Sequence, residues 1–411
     1  MTPDGGPSAA DERLRAIVAD DRARLVGALT RWCGDLQLAE DGFGEAVEAA
    51  LRTWPTRPPA DGRAWLVTVA RNRIRDVRRS AAARTSTPLS DAVVDTLEDD
   101  LTTSRDDTLA LLFACAHPAL DRGVHAPLIL QVALGVSTAD IATAFALPVA
   151  TLSKRLVRAK QKLRLNRAAF EIPERIDPGR IDAVLDAIYA AYAVDWLRIS
   201  PPGAAERVAE EAIHASQLLL RACPEHHEVR GLAALLLFLH SRSAARIRHD
   251  VLVPLEEQDP GDWDGHLIAR GHRILRAGAE LPRAAPPGPY ELQAAIQAAH
   301  ATRPQGGRPP WPVIVGLYDA LVAQTPSMGA RVARAVAVGR ATDAAAGLAI
   351  LASLQVSHPA VEAFQPYHAA RGALLREAGR TDEARAALQR ALDLCTEIPS
   401  RAHLARLIAT L

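Results

Sequence analysis

Lysine is almost missing from this chain of 411 residues: Lys154, Lys160 and Lys162 are all there is, and they share one short stretch. Cysteine is scarce too. Cys33, Cys115, Cys223 and Cys395 are scattered, with no CxxC pair and no ligand-like cluster, which argues against a disulfide framework, suggests no metal site and favours a reducing cytoplasm. Aromatic residues make up only 4% of the chain, so platforms for base stacking are few. No apolar run is long and charge-free enough to span a bilayer, and residues 1–15 lack the cationic and apolar segments of a secretory signal. The expectation is a soluble, cytoplasmic protein without a membrane partner. No Gly-rich phosphate loop, nucleophile arrangement or carboxylate pair stands out, so an enzyme is the least supported class and no cofactor is expected. The formal net charge is zero, which leaves only local clustering to inform about partners.

What is there concentrates between Pro148 and Arg167, PVATLSKRLVRAKQKLRLNR, where the three lysines join Arg155, Arg158, Arg164 and Arg167 and no acid interrupts them. Leu152, Leu156, Ala159 and Leu163 recur at helical spacing, so one stripe can pack inward while the cations project. Upstream, Ser137 can cap a helix over 138–145, with Asp140 reaching back from its third position. Ala146 and Leu147 make a short turn, and Pro148 suits the first position of the next helix. Two helices joined by a tight turn, the second basic, form the helix-turn-helix pattern, whose second helix presents its N-terminal residues to base edges in the major groove. A solvated basic face is the plainer explanation of the same residues.

The N-terminal part reads as helices from Leu14 to about Trp54, breaking near Gly34, with Leu25, Leu29, Leu36 and Leu38 as apolar markers. Glu40 and Asp41 are expected in an acidic first turn, which the helix dipole alone would explain. After a proline-rich loop comes a second cationic helix, RAWLVTVARNRIRDVRR, whose stripe is read as Trp65, Val69, Ile74 and Val77. That leaves Arg71, Asn72, Arg73, Arg75, Arg78 and Arg79 for solvent or phosphate. The stretch Ser86 to Asp107, acidic and rich in serine and threonine, reads as a flexible tether between two nucleic-acid-binding modules.

Taken in order, the AED helix, AWLVTVARNRIRDVRR, an acidic linker and STADIATAF with TLSKRLVRAKQKLR resemble an extracytoplasmic-function sigma factor of bacterial RNA polymerase. Residues 107–120 are similar to the first region 4 helix of a group with a long C-terminal helical extension, often tetratricopeptide-like. The resemblance implies an all-α protein with four segments: region 2 over 1–84, an acidic linker over 85–104, a region 4 helix-turn-helix over 105–170 and a helical extension over 171–411. It further implies binding to core RNA polymerase and promoter DNA and a role in transcription initiation. Glu40, Asp41 and Glu45 then fall at the polymerase contact, although Gly44 precedes Glu45 and Val47 stands where the family has an aromatic residue. Arg71, Asn72, Arg73, Arg75, Arg78 and Arg79 fall on the strand-melting helix, and base capture goes to the loop before Arg63. Ser137, Thr138, Thr151, Ser153, Lys154, Arg155, Arg158 and Lys160 fall on the duplex-reading element, with Lys160, Lys162, Arg164 and Arg167 placed toward phosphate or the polymerase flap. Cys115 and His117 are read as packing and capping groups.

The extension shows helical segments punctuated by proline and glycine, without an alternating strand pattern. One good tetratricopeptide-like repeat falls near 365–396, with small residues Gly372, Ala384 and Ala391 at close packing positions and Gly379 at the turn. One repeat cannot bury its own apolar faces, so earlier pairs must stack on it: 205–221 with 228–240, and 312–323 with 329–340. The acidic stretch 255–264 is an acidic surface loop or part of a groove for a protein or small ligand. A large helical domain fused directly after region 4 is expected to regulate it in cis. The rival readings are a helix-turn-helix regulator acting without polymerase, and a repeat scaffold whose basic helices are only solvated faces.

Overall fold

Helical periodicity runs through the sequence, and the computed structural model is all-α, with 18 helices and one short antiparallel hairpin among the residues it describes. Those residues are 9–85, 106–145, 147–165, 178–197, 205–302 and 307–411, so the acidic tether 86–105, Ala146 and Arg167 lie outside them. The chain divides into two units: the first runs to Trp196 and takes in residues up to Ala222, and the second holds Cys223–Leu411.

In the first unit, α1 (Ala9–Cys33), α2 (Leu36–Thr53) and α3 (Gly62–Thr85) pack against one another. Gly34, at φ +67, turns the chain after α1, and the Asp35 carboxylate caps α2 by accepting from the Leu38 amide at 3.2 Å. Glu40 and Asp41 therefore stand in the second turn, not the first, and the helix dipole no longer accounts for them. The stripe expected on α3 is also corrected. Leu66, Ala70 and Ile74, spaced by one helical step of four, are fully buried, while Val77 is 47% exposed and Trp65 is half-buried, edge-on to Trp54. The expected set mixed two faces of the helix.

The chain continues as α4 (Asp106–Cys115), α5 (Arg122–Val132), α6 (Thr138–Ala144) and α7 (Val149–Leu165). α4 lies so close to α1 that a Cβ on Gly27 would meet the Asp107 carbonyl oxygen at 2.4 Å, so glycine is what permits the approach. Two further helices, α8 (Pro178–Leu197) and α9 (Ala205–Ala222), complete the unit. Arg180 of α8 donates to the Phe113 carbonyl at 2.7 Å, and α9 packs on α1 and α4. The expected pairing of 205–221 with 228–240 is thereby corrected, because the two helices belong to different units.

Where α9 meets α1, a cavity of about 320 Å³ is lined by Asp20, Asp21, Arg24, Glu211, His214 and Arg221. Burial, with Asp20, Asp21 and Glu210 adding to it, pushes the Glu211 carboxyl up to about 8. Between its ordinary value and that point the folded state holds a proton that the unfolded chain has released, so this contribution to stability is lost as pH rises through the window. The thermal midpoint of the wild type should therefore fall, relative to Glu211→Gln, between about pH 5 and about pH 8.5. Parallel pH profiles for the two proteins would contradict the assignment.

The second unit runs α10 (His227–His240), β1 (Ile247–Arg248), β2 (Val251–Leu252), α11 (Gly265–Ala279), α12 (Pro289–Ala301), α13 (Trp311–Gln324), α14 (Met328–Ala341), α15 (Ala344–Ser357), α16 (Gln365–Glu377), α17 (Thr381–Leu394) and α18 (Ile398–Ala409). Most helices pack on their neighbours along the chain, but α10 packs most extensively on α12, two helices on. Gly372 lies against Leu388, Ala384 and Ala391 are fully buried, and Gly379 turns the chain at φ +71. The hairpin has no counterpart in the sequence reading. It is too short for an alternating pattern, and its turn is made by His249 and Asp250 at φ 51 and 60. The acidic stretch that follows is not a bare surface. Glu256 pairs with Arg340 at 2.8 Å and Glu257 with Arg406 at 3.2 Å, Trp263 is buried with its Nε1 donating to Gln258, and β2 packs on α18.

Candidate nucleic-acid and polymerase interface

The pair α6 and α7 is built from local rules. Ser137 Oγ accepts the Asp140 amide at 3.1 Å and donates to the Asp140 carboxylate at 2.7 Å, fixing the start of α6. Pro148 stands just outside α7 rather than at its first position, and its carbonyl accepts the Leu152 amide at 3.1 Å. Leu152, Leu156, Ala159 and Leu163 are buried, so the face opposite is committed to solvent. Thr151, Lys154, Arg155, Arg158 and Lys162 recur along that face. Among the described residues, no carboxylate of the chain pairs with Lys154, Arg155 or Arg158, whereas Lys162 donates to the Ala119 carbonyl at 3.1 Å. Ser153 is half-buried beside them, and Thr138 Oγ1 accepts from Gln131 at 2.8 Å.

Lys160 is placed differently from its neighbours. It is buried, and its Nζ meets Glu40 Oε2 of α2 at 2.7 Å, with both side chains about one-tenth exposed. Arg22 approaches the same carboxylate at 3.8 Å while donating to the Val132 carbonyl at 3.2 Å and lying over the Phe43 ring. Burial pushes the Arg22 guanidinium below its ordinary value, and Glu40 partly offsets this. Two more ion pairs join the same modules: Arg164 with Asp35 at 3.6 Å, and Arg31 of α1 with the nearly buried Asp107 at 2.9 Å.

On α3 most of the expected cations are also engaged within the chain. Arg71 and Arg75 lie over the Trp32 ring, 5.0 and 5.7 Å from its centroid, and Arg78 donates to the Cys33 carbonyl. Arg73 pairs with Glu45 at 3.3 Å and Arg79 with Asp76 at 3.3 Å, while Asn72 is exposed. Asp41 accepts from Gln37 at 2.8 Å and remains exposed. The sequence reading missed Trp32, Arg22 and Arg31. Trp32 falls one residue before a cysteine-glycine break, and nothing in helical spacing links it to residues 71 and 75. Cys115 is fully buried, and His117 Nδ1 accepts from the Ala119 amide at 3.1 Å, as a packing group and a capping group do. Among the described residues no group of three metal-ligating side chains converges, and no helix is long and apolar enough to cross a membrane.

Comparison with known proteins gives this arrangement its class. The sigma-70 region 2 family matches residues 17–84, covering α1 to α3, and a family of unknown function, DUF6596, matches residues 180–279. Two kinds of relative stand out. Uncharacterized protein R00370 of Rhizobium meliloti (strain 1021) is 36% identical over 397 residues, 93% of this chain and 92% of its own length. The ECF RNA polymerase sigma factor SigL of Mycobacterium tuberculosis (strain ATCC 25618 / H37Rv) is 35% identical over 176 residues, 39% of this chain and 92% of SigL. The chain belongs to the ECF RNA polymerase sigma factors and carries a helical extension beyond the part it shares with SigL. No solved structure matches it.

Proposed function

We propose that the protein binds core RNA polymerase, directs it to promoter DNA and starts transcription, and that its C-terminal helical unit regulates this in cis. The observation that carries the reading is the row Thr151, Lys154, Arg155 and Arg158 on the outward face of α7, behind the capped turn from α6 and in the same unit as the sigma-70 region 2 helices. Such a row suits the major groove: Ser153, Lys154 and Arg158 reach base edges or adjacent phosphates, and Arg155 clamps the backbone. Ser137 and Thr138 hold the start of α6 against the duplex. Asn72 and the arginines of α3 take the displaced strand, which requires them to exchange their present partners for phosphates. Glu40, Asp41 and Glu45 on α2 provide the acidic contact to polymerase.

Co-purification with core polymerase is the direct test. A helix-turn-helix regulator or a repeat scaffold predicts no such complex, whereas the present reading expects a stable complex that selects a start site in run-off transcription. A purified chain that neither binds core enzyme nor confers start-site selection overturns it. The regulatory half is tested by removing residues 223–411, which leaves α8 and α9 in their own unit. Promoter output should change, and unchanged output would remove the regulatory role. The second unit also offers the surface for a protein or small-molecule signal.

A further inference from the structure

Glu40 is proposed above as a polymerase contact, yet in this structure its carboxylate is only 10% exposed and lies 2.7 Å from the Lys160 ammonium. A partner cannot use a carboxylate that is already covered. We infer that Lys160 of α7 occupies, in the free protein, the place on α2 that a lysine or arginine side chain of the polymerase later takes, so that opening the two modules and binding polymerase are one exchange of cations at Glu40. The inference rests on the polymerase-binding reading and adds to it a named competitor within the chain.

Three features support an exchange rather than a permanent strut. Beside the close packing of α1 on α4, the joint holds ion pairs of complementary sign: Glu40 with Lys160 and Asp35 with Arg164 between α2 and α7, and Arg31 with Asp107 between α1 and α4. A second chain carrying cations can take the places of Lys160 at Glu40 and of Arg164 at Asp35. Arg22 stays beside Glu40 on the α1–α2 side, 3.8 Å away, so the carboxylate keeps one cation while the other changes. Lys160 also departs from the rest of its helix: Lys154, Arg155 and Arg158 face solvent, while Lys160 continues the buried stripe next to Ala159 and Leu163. A lysine on a packing face is costly unless a carboxylate receives it, and removing one member of a buried pair leaves the other charge uncompensated.

The test separates the two halves of the claim. Donor and acceptor fluorophores are placed by unnatural amino acids at the exposed positions Glu48 on α2 and Gln161 on α7 of the full chain, and transfer efficiency is read without polymerase. Affinity for purified core polymerase is then measured without DNA. Lys160→Met and Glu40→Gln should both lower transfer, because each removes the ion pair between α2 and α7, and the double exchange Glu40→Lys with Lys160→Glu should restore it. On polymerase the two single variants should part company: Lys160→Met binds about tenfold more tightly or better, because the competitor is gone, while Glu40→Gln gains nothing. Transfer efficiency unchanged in both single variants overturns the closed pair, whatever polymerase does. Lowered transfer with no gain of affinity in Lys160→Met overturns the exchange. Absence of any polymerase binding, in wild type and variants alike, overturns the parent reading and the polymerase half together, and the transfer measurements still decide whether the modules are locked by this pair.

Discussion

Arg155→Ala is expected to abolish run-off transcription from the cognate promoter in a reconstituted assay. Of the basic residues assigned to DNA, those on α3 are already matched within the chain, by the Trp32 ring, the Cys33 carbonyl, Glu45 or Asp76, and Lys160 is matched by Glu40. Arg155 stands on the outward face of α7, where among the described residues no carboxylate pairs with it. Its charge is therefore available to a phosphate at no cost in broken internal contacts. Losing one phosphate contact weakens all promoters together and lowers the salt slope of DNA binding by about one unit. The assay reads a larger loss than the binding, because initiation needs the duplex held in register while the upstream element melts. Full activity of the variant would remove Arg155 from the DNA-binding surface.

The second large effect is on stability. Glu228 of α10 reaches the start of α12, where its two carboxylate oxygens accept the amides of Tyr290 and Glu291, each at 3.0 Å. These amides belong to the first turn of a helix, whose N–H groups have no intrahelical acceptor, so a side chain from another helix does the work of a cap. The approach is tight: a Cβ on Gly231 would meet the Glu291 amide nitrogen at 2.4 Å, and one on Gly288 would meet the Glu228 carboxyl carbon at the same distance. Around it, Arg283 grips Glu291 at 2.7 and 3.0 Å. Burial pushes the Glu291 carboxyl upward, but Arg283, the Gly288 amide and His227 together outweigh it and leave it below the ordinary value. Glu228→Ala strands two amides in this joint and should cost about 2–3 kcal/mol, read as an earlier urea midpoint for the second unit. Glu228→Gln, which keeps an acceptor, should lose less. An unmoved midpoint in the alanine variant would show that water caps α12 equally well.

The sequence carried some of this structure and concealed the rest, for physical reasons. The buried stripe of α7 was readable because four residues recur at one spacing and the rest of the helix is charged. The Ser137 cap was readable because both its partners lie within one turn. On α3 the same logic misled: alanine at position 70 looks neutral, whereas Trp65 and Val77 look like core, and only packing shows that the small residue is the buried one. Pairings distant in sequence left no local trace. Glu40 and Lys160 are separated by 120 positions, and no periodicity in either helix announces that one neutralises the other. The pairing of 205–221 with 228–240 failed for a related reason. An amphipathic helix declares that it has an apolar face, but not against which body that face is laid.

The hairpin after α10 sets how the second unit comes apart. In an open stack of helical repeats, stability is nearly a sum of local parts, and the ends fray first. Here the strand Val251–Leu252 and the acid Glu257 reach across to α18, the final helix, so the first and last members of the series are fastened to each other. A fastened series has no free end from which to peel. Unfolding of this unit should accordingly be all-or-none in urea, and shortening the chain by its last dozen residues should unseat the opening helices as well as the closing ones.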